Sequence, residues 1–281
     1  MTTKRIGWIG IGHMGTPMSL NLIKAGFDVS VYNRSADKLK PLTANGAKAH
    51  DTITGLVKEC DIIIVMVSDD NAVKTIFLEI IEADITGKLF INTSTVSPET
   101  SKEIAGICQS KSARFLEAPV SGSVKPATDG TLVILAAGNK KDYDEAVPLF
   151  EKLGKLSLYL GDIGKGAIAK LAINYYLAIT IQGIAETALF AEKKGLDRET
   201  MMLIINESAC GSPMSNLKTP SVINNSYPAA FPLKHMAKDV RLAREQQLDS
   251  PMSEPIFKSF RKALDSNLGD EDVMAVIKVL S

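Results

Sequence analysis

The sequence predicts an α/β chain in which a doubly wound sheet is followed by an all-α domain, the two joined by one long helix. Three observations carry this expectation. Short β-branched runs alternate with helical patterns through the first half, a glycine-rich turn follows the first run directly, and the pattern beyond Gly166 is almost purely helical. At 281 residues the chain is longer than one hydrophobic core usually organises. Two domains are therefore expected, residues 1–162 and 163–281.

The first strand is read at Arg5–Gly10 and its returning helix at Met14–Ala25. Strands follow at Asp28–Tyr32, at Asp61–Val67 around a continuous Ile-Ile-Ile-Val run, and at Leu89–Asn92. Runs this apolar suit strands covered on both faces. Further strands are read at Ala113–Leu116 and Thr131–Ala137, then a helix near Tyr143–Lys152 and a short strand near Leu156–Tyr159. Gly161-Asp162-Ile163-Gly164-Lys165-Gly166 is turn material and marks the boundary. From Ala167 to Lys194 one helix is apolar on most of its circumference, so it must be buried on several sides. Lys170, Asn174, Gln182 and Glu186 interrupt it, which argues for burial between domains or subunits over a membrane span. Later helices are expected at Arg198–Ser208, Lys234–Gln247 and Pro255–Ser266.

Composition narrows the partners. Thirty-two basic residues balance thirty-two acidic ones, so no overall field draws the chain to nucleic acid or an anionic membrane. Small molecules are the expected ligands. The first strand begins too early for a signal peptide ahead of it, and a cytosolic protein is expected. Cys60, Cys108 and Cys210 form no CxxC pair, and His13, His50 and His235 show no ligand spacing. No metal site is expected.

Gly10-Ile11-Gly12-His13-Met14-Gly15 is a GxGxxG placed after a strand and opening a helix, the arrangement of a Rossmann-type dinucleotide site. Gly10 allows the tight turn, Gly12 a close backbone approach to a pyrophosphate, and Gly15 close packing of helix on strand. The helix N-terminus offers free N–H groups and partial positive charge to the phosphates. An NAD site usually ends its second strand on a carboxylate. Here that place reads Asn33-Arg34-Ser35. Asn33 removes a charge that would repel a 2′-phosphate, while Arg34 and Ser35 can bind one, so NADP(H) is preferred to NAD(H). Met66, Val67 and Thr95 lie in loops at carboxyl ends of strands and are expected to face the dinucleotide.

Four motifs in order, Gly10 through Met18, Ala118-Pro119-Val120-Ser121-Gly122-Ser123, Gly164-Lys165-Gly166 through Lys170 and Asn174, and Lys238-Asp239, make the chain resemble the β-hydroxyacid dehydrogenases. That family includes 3-hydroxyisobutyrate dehydrogenase, tartronate semialdehyde reductase and glyoxylate/succinic semialdehyde reductase. The resemblance implies a reductase of small acid aldehydes with Lys170 as acid/base group, and the long apolar helix leads to the expectation of a homodimer or homotetramer. The chemistry agrees, because hydride arrival at an aldehyde leaves an oxygen that needs a proton. Asn174, four residues on, shares its helical face. The resemblance further assigns Ser121, Gly122 and Ser123 to the carboxylate or hydroxyl of the substrate, Lys238 to the nicotinamide side, and Asp239 and Phe231 to the substrate pocket. Ser123 stands where many members have glycine, and with Lys125-Pro126-Ala127 this leans toward the glyoxylate/succinic semialdehyde reductase branch. Tyr175 replaces a second asparagine, which blurs the substrate. An imine reductase fits less well because of Lys170, and a dinucleotide-binding scaffold without chemistry remains the alternative of another class.

Overall fold

The computed structural model describes residues 4–280 as two compact units, one ending at Lys170 and the other starting at Leu171. The division falls inside the long helix, a few residues after the glycine-rich turn.

In the first unit the strands are β1 (Ile6–Ile9), β2 (Val29–Tyr32), β3 (Lys48–Ala49), β4 (Ile62–Val65), β5 (Leu89–Asn92), β6 (Arg114–Glu117), β7 (Val120–Ser121), β8 (Leu132–Gly138) and β9 (Gly154–Tyr159). They lie in the order β3-β2-β1-β4-β5-β6-β8-β7, with β9 beside β8. The order reverses at β1, whose Ile6 is level with Val29 on one side and Ile62 on the other. That is the crevice where open α/β sheets bind ligands. From β3 to β6 every pairing is parallel, whereas β8 runs antiparallel to β6 and β7 antiparallel to β8. The expected parallel sheet thus ends at β6, because the chain turns back after Pro119, whose carbonyl accepts the Leu135 N–H at 2.9 Å.

Every residue of β1, β4 and β5 is buried, and alternate side chains serve opposite faces. Ile6, Trp8, Ile62, Ile64 and Ile91 pack on one side with Leu22 and Phe150. Ile9, Ile63, Val65 and Phe90 pack on the other, where Phe77 meets Phe90 and Phe115 edge to face. Helices α1 (Gly15–Lys24), α2 (Lys40–Thr43), α3 (Ile53–Glu59), α4 (Asp70–Ile80), α5 (Pro98–Ser110), α6 (Val124–Thr128) and α7 (Lys140–Leu153) cover the sheet. Thr52, Asp69, Ser97 and Asn139 cap four of them, each side chain accepting a backbone N–H of the first turn.

The long helix α8 is Lys165–Lys193, roughly 44 Å at 1.5 Å per residue. By length and composition alone it could cross a membrane. In the second unit, however, its Ala178, Ile181, Ile184, Ala185 and Ala188 form the core with Met202, Val222, Met236, Val240, Ile256 and Phe260. Those partners come from α9 (Arg198–Glu207), α10 (Pro213–Asn224), α11 (Leu233–Glu245) and α12 (Ser253–Asp265), and a 3₁₀ segment Val273–Val279 closes the unit. α10 is absent from the sequence expectation. It starts on a Ser212–Ser215 capping box with Pro213 in its first turn, and Pro220 interrupts its interior.

Candidate dinucleotide and acid/base site

The glycine loop makes the backbone demands expected of it. Gly10 has φ +101°, and a Cβ there would stand 2.1 Å from the Met66 carbonyl oxygen. A Cβ on Gly15 would stand 2.1 Å from the Gly10 oxygen, so the start of α1 presses directly on the turn. A Cβ on Gly12 would meet no atom within 4 Å, so this side of its backbone is open for a phosphate to approach. The first turn of α1 carries no acidic side chain, as an anion-binding helix end requires. These features fit a dinucleotide diphosphate.

Two tethers shape the loop. Trp8 Nε1 donates to the Gly10 oxygen at 3.1 Å, and Asn33 Oδ1 accepts the Ile11 N–H at 2.9 Å. The Asn33 amide also donates to the Ser35 oxygen, so this side chain is turned onto its own loop. Its neutrality was the expected feature, and its tether to Ile11 is new. Arg34 and Ser35 stand exposed just beyond β2. A cleft of about 540 Å³ runs along α1, with Gly12, His13, Lys24, Lys38 and Val124 among its walls. Lys38 went unnoticed in the sequence, although a second cation four residues after Arg34 was a readable signal. Met14 is half-buried behind the loop.

The two expected strand-end loops come together. The Val67 N–H donates to Ser94 Oγ at 2.9 Å, and Thr93 Oγ1 reaches Met66 Sδ at 3.2 Å. Asn92 Oδ1 in turn accepts the Ser94 N–H, and Thr95 is half-buried beside them. Buried hydroxyls therefore hold Met66 and Val67 at the carboxyl edge of β4 and β5, with Thr95 next in the chain.

Ser121 lies in β7, opposite Val133. Gly122 has φ +140°, and a Cβ there would fall 2.7 Å from Leu132 Cδ2. Glycine is thus required for the chain to pass Leu132 and enter α6, ahead of which Ser123 sits half-buried. Glu117, at the end of β6, had no part in the sequence expectations. It is 1% exposed, and its Oε1 accepts the N–H groups of Gly164 and Gly166 at 2.6 and 2.8 Å. Burial pushes its carboxyl above the ordinary glutamate range, with the Ser101 hydroxyl and the backbone N–H groups at the start of α8 pulling the other way. A glutamate inside the otherwise apolar run Phe115-Leu116-Glu117-Ala118-Pro119-Val120 was the signal that could have found it.

Lys170, one turn into α8 from Gly166, is 7% exposed. In the second unit Asn174 and Asp239 are buried, and the Asn174 amide donates to Asp239 Oδ2 at 2.5 Å. Lys238 Nζ stands 3.1 Å from Asp239 Oδ1. One carboxylate thus gathers an amide from α8 and an ammonium from α11. Phe231 is half-buried, its ring stacked at 6.3 Å on His235 and its N–H donating to Asp272 Oδ2. Among the described residues no three His, Cys, Asp or Glu side chains gather as metal ligands.

A family model described as the NAD binding domain of 6-phosphogluconate dehydrogenase matches residues 5–161, and one described as NAD-binding of NADP-dependent 3-hydroxyisobutyrate dehydrogenase matches residues 164–280. The chain is 40% identical to glyoxylate/succinic semialdehyde reductase 1 of Arabidopsis thaliana, covering 98% of each. It is 39% identical to the chloroplastic reductase 2 of that plant, covering 99% of this chain and 80% of the relative. The solved structure of Mycobacterium tuberculosis 3-hydroxyisobutyrate dehydrogenase with L-serine superposes with a TM-score of 0.88 at 27% identity, over 99% of both chains.

Proposed function

Because the chain belongs to the β-hydroxyacid dehydrogenase family, of the 3-hydroxyisobutyrate dehydrogenase type, we propose that it is an NADP(H)-dependent reductase of small carboxylated aldehydes, with glyoxylate and succinic semialdehyde as its substrates. The chain is an oxidoreductase using a nicotinamide dinucleotide, which exchanges a hydride with the carbonyl carbon of the substrate when bound. The single observation that carries the acid/base reading is Lys170, a lysine buried on α8, the helix whose other buried side chains are apolar or amide. Lysine is seldom fully buried unless it is paired or has chemistry to perform.

In this reading the Lys170 ammonium donates its proton to the substrate oxygen as charge develops there, and in the reverse direction the amine takes the hydroxyl proton. Asn174 orients the oxygen, and Asp239 acts by fixing the Asn174 amide and the Lys238 ammonium. The hydroxyls of Ser121 and Ser123 and the backbone at Gly122 hold the substrate carboxylate, with Phe231 as a pocket wall. Gly10, Ile11, Gly12, His13, Met14 and Gly15 take the diphosphate, while Met66, Val67 and Thr95 bound the dinucleotide. Arg34 and Ser35 take the 2′-phosphate, with Asn33 keeping that place free of negative charge.

Likeness to the M. tuberculosis enzyme favours 3-hydroxyisobutyrate oxidation as the second reading, and tartronate semialdehyde reduction stands beside it. Steady-state rates with glyoxylate, succinic semialdehyde, methylmalonate semialdehyde and tartronate semialdehyde, each with NADPH and NADH, decide among them. The highest kcat/KM is expected for the first two with NADPH, and a preference for either of the others overturns the substrate assignment. Arg34→Ala is expected to weaken NADPH more than NADH; equal losses would remove Arg34 from phosphate binding. Tyr176 and Phe190 on α8 are each 66% exposed, as is Leu203 to 59%, and these apolar side chains support a homodimer or homotetramer. Light scattering that finds a monomer at assay concentration contradicts it.

A further inference from the structure

We propose that Glu117 is a positioning residue for Lys170, its carboxyl fastening the first turn of α8 to the sheet and so fixing where the lysine amine stands. The proposal rests on the reading of Lys170 as the acid/base group.

The N–H groups that open an α-helix have no partner inside it and need one from elsewhere. At the start of α8 that partner comes from a strand 47 residues earlier: Glu117 Oε1 accepts from both Gly164 and Gly166. A carboxyl at this end also complements the partial positive charge of the helix. The grip is close as well as polar. A Cβ on Gly166 would fall 2.5 Å from the Leu135 oxygen of β8 and 3.1 Å from Glu117 Oε1, so the helix start is seated against two strands.

Lys170 follows Gly166 by four residues, one turn and about 6 Å along the axis. A helix transmits a shift of its first turn to the next, and a displacement of about 1 Å at a reacting group can lower turnover on the order of a hundredfold. Glu117 itself is 1% exposed, so it acts on the reacting atoms through what it holds and not by touching them. Its second oxygen, Oε2, has no partner of full hydrogen-bond geometry among the described residues, and the Ser101 hydroxyl is the polar group that acts on this carboxyl beside the helix N–H groups. Glutamine can therefore take its place, the amide oxygen standing for Oε1 and the NH₂ for Oε2.

The test measures kcat and NADPH affinity for Glu117→Ala, Glu117→Gln, Lys170→Ala and the double variant Glu117→Ala/Lys170→Ala. Glu117→Ala is expected to lower kcat by about tenfold to a hundredfold with unchanged NADPH binding. Glu117→Gln is expected to restore turnover close to that of the parent. Because Glu117 acts through Lys170, removing it from a chain that already lacks Lys170 is expected to cause no further loss. Losses that multiply in the double variant, or a Glu117→Ala protein with parental kcat, overturn the proposal. So does a Glu117→Ala protein whose NADPH binding falls in step with kcat. Should Glu117→Ala not fold, Gly166→Ala separates α8 from the same seat and is read by the same cycle. Lys170→Ala alone reports on the acid/base reading: parental turnover in that variant defeats the reading itself, whereas additivity with Lys170 essential defeats only the role of Glu117.

Discussion

Asp272→Ala removes the ionic knot of the helical unit. Lys218 and Asp272 are 3% and 1% exposed, and the two carboxylate oxygens lie 2.7 and 2.9 Å from Lys218 Nζ. The same carboxylate accepts the N–H groups of Ala230 and Phe231 at 3.0 and 3.1 Å and of Met274 at 3.0 Å. Alanine leaves a buried ammonium unpaired and three backbone donors without their acceptor. Breaking a buried pair by removing one partner costs about 3–5 kcal/mol. That is a large share of the ~5–15 kcal/mol that holds a domain folded. Urea unfolding reads the loss, and the chain supplies two separate probes. Its one tryptophan, Trp8, reports the first unit alone, while far-ultraviolet circular dichroism reads the helices of both units. The dichroism midpoint is expected to fall and the tryptophan midpoint to move less. Lys218→Met, which leaves the carboxylate its three N–H donors, is expected to lose less than Asp272→Ala. A loss below about 1 kcal/mol, the level of an ordinary hydrogen bond, would refute the reasoning, as would the reverse order of the two variants. Since Phe231 hangs from this carboxylate, KM for the aldehyde is expected to rise in Asp272→Ala with NADPH affinity retained.

Gly10→Ala forces a side chain into a positive-φ turn against the Met66 carbonyl. Strain of about 1–3 kcal/mol there should weaken NADPH binding by roughly tenfold to a hundredfold, measured by nucleotide fluorescence titration; parental affinity would contradict the loop assignment. Acid stability should depend on Arg114. Its hydrogen bonds hold the Glu145 carboxyl below the ordinary glutamate range against burial, helped by Lys4. A lowered folded-state pKa contributes stability above the ordinary glutamate value, which is lost as pH falls through the lowered one. Urea midpoints for Arg114→Met are therefore expected to fall less steeply with acid than those of the parent, and parallel curves would show that the contact contributes nothing.

What the sequence disclosed and what it hid follow from how each feature is encoded. Gly10, Gly12 and Gly15 were legible because a glycine announces a backbone demand, and the clashes that any Cβ would meet at Gly10 and Gly15 are that demand. Strands β1, β4 and β5 were legible because burial on both faces writes an unbroken apolar run. The Asn174–Asp239 pair joins positions 65 apart, and nothing local couples them. Asn33 was read through the charge it lacks, while its contact with Ile11 depends on the turn bringing two strand ends together. Glu117 lay beside a recognised motif, yet its role needs the start of α8, 47 residues on, to come home to the sheet. α10 was hidden by its own Pro220, although Ser212 and Pro213 carry a helix-start signal. The antiparallel turn to β8 was invisible because strand direction leaves no mark on hydrophobic periodicity.

Stopped-flow measurement of the Lys170→Ala protein, following NADPH binding and hydride transfer to succinic semialdehyde in one experiment, bears most directly on the chemistry. Binding is expected to match the parent while turnover falls by ~10²–10⁴-fold, the usual contribution of a positioned proton donor. Parental turnover in that protein would show that the proton comes from elsewhere.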